Sequence, residues 1–179
     1  NPTASGFYAN GPVDNVSITN CMVQNNGGSA RGVVIWNGFK TNINITGNTV
    51  INNSCCGIEL QDGTASGVII SNNILDIGTG DNGLGLTGLN STIGSNLISN
   101  NNISGGGRFG IEIKNPEGGV MVSGNTVNMV SANADLRDRA GIAILRRSVL
   151  VGNVDVPNGV TITGNNVSGW TQSSSSEGF

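Results

Sequence analysis

Two glutamates, Glu59 and Glu112, stand at the same place in two copies of a short recurring pattern, Gly-apolar-any-apolar. Paired carboxylates can hydrolyse a glycosidic bond: one acid protonates the leaving oxygen while the other activates water. Inversion needs the two carboxyl groups about 6.5–9.5 Å apart. Gln61 and Lys114 follow the two glutamates by two residues, and Trp36 fills that later place in an earlier copy. Arg108 falls just ahead of the Glu112 copy, as Arg31 and Asp81 fall ahead of others. An insertion carries Asp135, Arg137 and Arg139 in a chain otherwise poor in charge. A guanidinium grips a carboxylate with two hydrogen bonds, so these arginines and Lys114 suit an acidic sugar. An indole such as Trp36 can stack on a sugar ring, or else pack beneath the loop holding Phe39. The plainer alternatives are solvated glutamates, one of them paired with Lys114, and a solvated loop with internal ion pairs. There is no His, and Cys21, Cys55 and Cys56 show no metal-ligand spacing. No metal or other cofactor is expected.

These residues are positioned by a repeat. An apolar-any-apolar stretch followed by Asn and another apolar residue recurs along the chain. Its copies are Val16-Ser17-Ile18 with Cys21 and Val23; Ile43-Asn44-Ile45 with Asn48 and Val50; Val68, Ile70, Asn73 and Leu75; Asn96, Ile98, Asn101 and Ile103; Val120, Val122, Asn125 and Val127; and Val160, Ile162, Asn165 and Val167. The Gly-apolar-any-apolar pattern follows at Gly32, Gly57, Gly83, Gly110 and Gly141. Period-two alternation means strands with one buried face. Strands this short, at this spacing and without a helical segment between them, cannot form crossover units, so coils of about 25 residues must stack, each strand pairing in parallel with its equivalent one coil away.

In that stack Tyr8, Val34, Glu59, Gly85, Glu112 and Ala143 form one outward column. Asn10, Trp36, Gln61, Thr87, Lys114 and Leu145 form a second. Glu59 and Glu112 are then two rungs apart, about 9.5 Å at the backbone, with Gly85 leaving room for a sugar. Asn48, Asn73, Asn101, Asn125 and Asn165 should form a hydrogen-bonded ladder inside a tight turn, ending at Cys21. The cysteines read as small apolar side chains or a stray thiol, since adjacent Cys55 and Cys56 bridge only with strain.

Composition agrees. Of 179 residues, 29 are Gly and only 11% are charged, against about 25% in ordinary domains. Gly, Asn and β-branched residues disfavour helices. The net charge of −3 includes no basic stripe, so nucleic acid is not an expected partner. No apolar run approaches the roughly 20 residues of a membrane-spanning helix, and no membrane association is expected.

The repeat resembles the right-handed parallel β-helix repeat family, the pectate-lyase-like superfamily, over nearly the whole chain. The resemblance implies an all-β, single-stranded right-handed parallel β-helix of about six coils, three strands each. It also places the Asn-ladder turn between the second and third strands. The Gly-apolar-any-apolar stretch is then the first strand, whose outer face and flanking loops carry carbohydrate sites in that family. Gly110-Ile111-Glu112-Ile113-Lys114 resembles the Gly-Val-Arg-Ile-Lys stretch of polygalacturonases, with Glu112 in place of Arg. The Gly-His-Gly and paired-aspartate motifs of those enzymes are absent, as is the Asp-Pro-His type of motif of mannuronan epimerases. Lyases of this fold use an Arg or Lys base, a role open to Arg108 and Lys114.

Residues 1–179 thus read as one β-helix domain, expected to be an internal segment of a longer protein because neither end shows a capping helix. The expected function is binding or processing of an acidic polysaccharide at a cell or virion surface or outside the cell, as in tailspikes or polysaccharide-degrading enzymes. Glu59 and Glu112 would be the catalytic pair of a hydrolase or lyase. Trp36, Gln61, Arg108, Lys114, Asp135, Arg137 and Arg139 would hold the substrate. The rival expectation is a structural or adhesive solenoid, assembling as a homotrimer or end to end.

Overall fold

A computed structural model describes residues 5–24, 30–78, 80–105, 107–128, 139–146 and 157–169. Among them there is no helix. The strands form three parallel sheets, and successive strands of each sheet come from successive coils. The first sheet contains Phe7–Asn10, Arg31–Trp36, Cys56–Gln61, Asn82–Thr87, Phe109–Lys114 and Ala140–Leu145. The second contains Val13–Thr19, Phe39–Thr46, Thr64–Ser71, Asn96–Ser99, Glu117–Ser123 and Asn158–Thr163, with the short Leu89–Asn90 beside Thr64–Ser71. The third contains Met22–Gln24, Thr49–Ile51, Ile74–Asp76, Asn102–Ser104, Thr126–Asn128 and Asn166–Ser168. The chain is therefore a parallel β-solenoid, with six strands in the first and third sheets and seven in the second among the described residues.

Its core is the set of inward columns that the alternation demands. Ile58, Leu84 and Ile111, with Leu60, Leu86 and Ile113, come from the first sheet. Ile45, Ile70 and Ile98 come from the second, and Val50, Leu75 and Ile103 from the third; all are fully buried. The turn between the second and third sheets holds the Asn ladder. Each side-chain amide donates to the Oδ1 of the next coil: Asn48 to Asn73 at 3.0 Å, Asn73 to Asn101 and Asn101 to Asn125 at 2.9 Å, and Asn125 to Asn165 at 2.8 Å. The second amide hydrogen reaches a second-sheet carbonyl of the preceding coil, as Asn101 does at Ile70. At the far end the backbone N–H of Cys21 donates to Asn48 Oδ1, and the ladder stops there. The residues just before the ladder, including Asn72 (φ 55°) and Asn100 (φ 54°), are left-handed, which Asn tolerates better than most side chains.

The glycines of the first-sheet pattern have a steric cause. A Cβ on Gly83 would lie 2.5 Å from both the Gly110 carbonyl oxygen and Ile103 Cγ2. On Gly57 it would lie 2.5 Å from Leu75 Cδ2. Each glycine therefore faces inward, against the third-sheet core residue of its neighbourhood. The residue after it faces inward as well, so the alternation slips by one, and Arg31, Cys56 and Asn82 share the outward side with the glutamates.

Coil four departs from the pattern at Asn96, which sits buried in a column of Val and Ile. Its Oδ1 accepts from the Val68 N–H and its Nδ2 donates to the Asn90 carbonyl, so the burial is compensated.

Lys40 is also fully buried, in a second-sheet column between Val13 and Ala65. Its ammonium donates to the carbonyls of Gly38 and Asp62 in the turn above. Burial pulls its pKa from 10.5 down to about 8, and nearby Asp62 offsets only part of this. Below pH 8 the lysine is charged in both the folded and unfolded chain. Between about 8 and 10.5 the unfolded chain holds a proton that the folded chain lacks, so stability rises with pH across that window. The rise is at most about 3 kcal/mol. Urea unfolding at pH 8 and pH 10 should show it in the parent chain and not in Lys40→Met; equal slopes in the two would refute it.

Candidate functional site

The first-sheet register places Glu59 beside Gly85 and Gly85 beside Glu112, with Val34 and Tyr8 on one side and Ala143 on the other. The two carboxylates are thus two rungs apart on one face, as the repeat requires. Their surroundings differ from the open face that alternation alone suggests. Glu59 and Glu112 are only 4% and 5% exposed. They lie in the floor of a cleft of about 420 Å³.

Each carboxylate is held by its neighbours. Glu59 is ion-paired with Arg31 Nε, whose Nη2 also donates to Gln61 Oε1 at 3.3 Å. Glu112 Oε2 accepts from Lys114 Nζ at 2.9 Å and from Asn82 Nδ2 at 2.7 Å. The space over Gly85 is not left to a sugar. A Cβ placed there would meet Glu59 Oε1 at 3.1 Å, so the Glu59 carboxylate leans across the gap. Both carboxylates are thus engaged by protein partners: Glu59 by Arg31, and Glu112 by Lys114 and Asn82.

Among the residues expected to serve the site, Gln61, Arg108 and Lys114 join Glu59 and Glu112 in lining the cleft. Trp36 stands outside that lining. It is half-buried, its indole N–H donates to Asp62 Oδ2 at 2.8 Å, and the Arg31 guanidinium lies 5.4 Å from its ring centroid. Arg139, just before Ala140–Leu145, is buried and also outside the lining. Asp135 and Arg137 lie outside the described residues.

Periodicity alone does not reveal Asn82 or the cysteines as parts of this site, and it places Arg31 in a loop, whereas Arg31 begins the strand Arg31–Trp36. The inward glycine after Arg31 and Asn82 was the available signal. Two residues that line the cleft each keep a buried side-chain atom with no protein partner: Arg108 its Nε, a donor, and Asn82 its Oδ1, an acceptor. Arg108 also lies over Phe109, with its guanidinium carbon 4.8 Å from the ring centroid. Such groups usually find a partner in water or ligand.

A second, apolar cleft of about 250 Å³ opens on the second sheet between Phe39 and Ile93, which are 70% and 58% exposed. Among the described residues no cluster of three or more Cys, Asp or Glu could hold a metal ion.

A scan against protein-family models, a search of curated proteins and a search of solved structures each returned no match. What the chain itself establishes is a parallel β-solenoid with a buried Asn ladder and a charged cleft on its first sheet.

Proposed function

We propose that the first-sheet cleft binds an acidic polysaccharide, and that the protein acts outside the cell or on a cell or virion surface. The observation that carries this reading is one cleft lined by Arg31, Arg108 and Lys114 with Gln61 and Asn82, in which Arg108 Nε and Asn82 Oδ1 find no protein partner. A uronic acid offers both complements, a carboxylate for the guanidinium and hydroxyls for the amide oxygen. Rungs of a parallel sheet repeat about every 4.8 Å, so a polymer lying along the axis would cross several rungs of the cleft. The resemblance of the repeat to the pectate-lyase-like superfamily supports the same substrate class. Catalysis is a second reading, favoured by Glu59 and Glu112 sharing one column and one cleft.

Calorimetric titration of the chain with uronic-acid oligosaccharides tests the first reading. Binding should be present, weaken at high salt, and fall at least tenfold in Arg108→Ala. Loss of one bidentate charged contact is worth about 1.5–3 kcal/mol. Because Arg108 also stacks on Phe109, the unfolding midpoint of Arg108→Ala is compared with that of the parent before its affinity is read. Unchanged affinity in Arg108→Ala, or equal affinity for neutral oligosaccharides, would overturn the assignment. Release of new chain ends on incubation, abolished by Glu59→Gln or Glu112→Gln, would favour catalysis.

A further inference from the structure

Successive side chains of an extended strand point to opposite faces, which normally keeps adjacent thiols apart. Cys55 and Cys56 escape this because Ser54 and Cys55 form a bend just before the strand Cys56–Gln61. Both thiols line the charged cleft, with their sulfur atoms 2.6 Å apart and both free. Cys55 is half-buried at the cleft wall, whereas Cys56 is almost wholly enclosed. Backbone bonds fix the bend: the Cys55 N–H donates to the Ala30 carbonyl, and the Cys55 carbonyl accepts from the Asp81 N–H. The two thiols are thus held facing each other by the neighbouring coils on both sides.

We propose that Cys55 and Cys56 form a redox-active dithiol, which low-molecular-weight disulfides close into a vicinal disulfide in the cleft wall. This does not depend on the cleft binding a saccharide. Cys55 is the attacking thiol. It is the more accessible, and its hydrogen bond with the Cys56 thiol pulls its pKa below the ordinary thiol value, while that contact and burial push Cys56 up. The Cys55 thiolate attacks one sulfur of the small disulfide, whose S–S bond breaks and releases one small thiolate. That thiolate takes the proton of Cys56. The Cys56 sulfur then attacks Cys55 Sγ in the mixed disulfide and expels the second small thiolate, which is protonated from water. The sum is two protein thiols and one small disulfide giving one protein disulfide and two small thiols. Neighbouring Cα atoms are about 3.8 Å apart, closer than the usual span of a disulfide. The bond should therefore be readily reduced, which is the property of a switch rather than of a staple.

The test uses the full chain with Cys21→Ser, which removes the exposed third thiol. The folded protein is incubated with oxidised glutathione, alkylated and weighed by mass spectrometry. The expected result is loss of both alkylatable thiols with the mass of two hydrogens removed and no retained glutathione. Adding Cys56→Ser should instead trap glutathione on Cys55. Two thiols still alkylated after oxidation, or a lasting glutathione adduct when both cysteines are present, would overturn the proposal.

Discussion

Replacing Asn101 with Ala should remove about 3–5 kcal/mol from the free energy of unfolding, a large share of what a domain of this size usually has. Asn101 is in the middle of the ladder. Its Oδ1 accepts from both the backbone N–H and the side-chain amide of Asn73, at 3.1 and 2.9 Å. Its Nδ2 donates to the Ile70 carbonyl and to Asn125 Oδ1, both at 2.9 Å. Alanine deletes all four bonds and strands the Asn73 N–H and the Ile70 carbonyl in a turn closed to water. Each buried orphan costs about 1–3 kcal/mol. Asn102→Ala is the control, because Asn102 is exposed on the third sheet and its change should stay within about 0.5 kcal/mol. Urea denaturation of the three proteins measures the difference; similar midpoints for both variants would contradict a structural ladder.

The second large effect is expected at Gly83. An alanine methyl there would sit 2.5 Å from the Gly110 carbonyl oxygen and 2.5 Å from Ile103 Cγ2. Neither obstacle is the loose end of a long side chain. One is the backbone of the next coil, and the other is a fully buried core residue. Relief requires the first sheet to move away from the third, opening the core on either side, so Gly83→Ala should cost about 3 kcal/mol or more. Gly94→Ala is the matched control. A Cβ there meets only Gly67 Cα at 3.6 Å, an ordinary contact. Its cost should stay below about 1 kcal/mol, since the loss of chain freedom in the unfolded state favours alanine. Thermal unfolding that does not separate the two variants would refute the steric reading of the glycine column.

The sequence carries the coil and its register because side-chain burial here is periodic and unbroken. Val16, Ile43 and Val68 mark one face, and the ladder asparagines mark the turn that follows. Even the end of the ladder at Cys21 is visible, since only there does Asn give way. The outward column through Glu59, Gly85 and Glu112 follows from the same counting. What counting misses is where alternation slips. Gly32, Gly57 and Gly83 face inward, so Arg31, Cys56 and Asn82 turn out beside the glutamates. In the second sheet, left-handed Asn15, Asn42 and Gly67 (φ 60°, 53° and 67°) bend the strands and bring Lys40 inside. An asparagine in the sequence does not announce its φ. Nor does alternation show the walls around an outward residue, so the burial and ion pairing of Glu59 and Glu112 had to come from the structure.

Binding in the first-sheet cleft is tested most directly by an atomic-resolution crystal structure of the chain with a uronic-acid oligosaccharide. The sugar should lie along the first sheet, with a carboxylate within hydrogen-bonding distance of the Arg108 guanidinium and a hydroxyl at the Asn82 side-chain amide. A sugar bound on another face, or a cleft that stays free of it at saturating concentration, would rule out the cleft as the saccharide site.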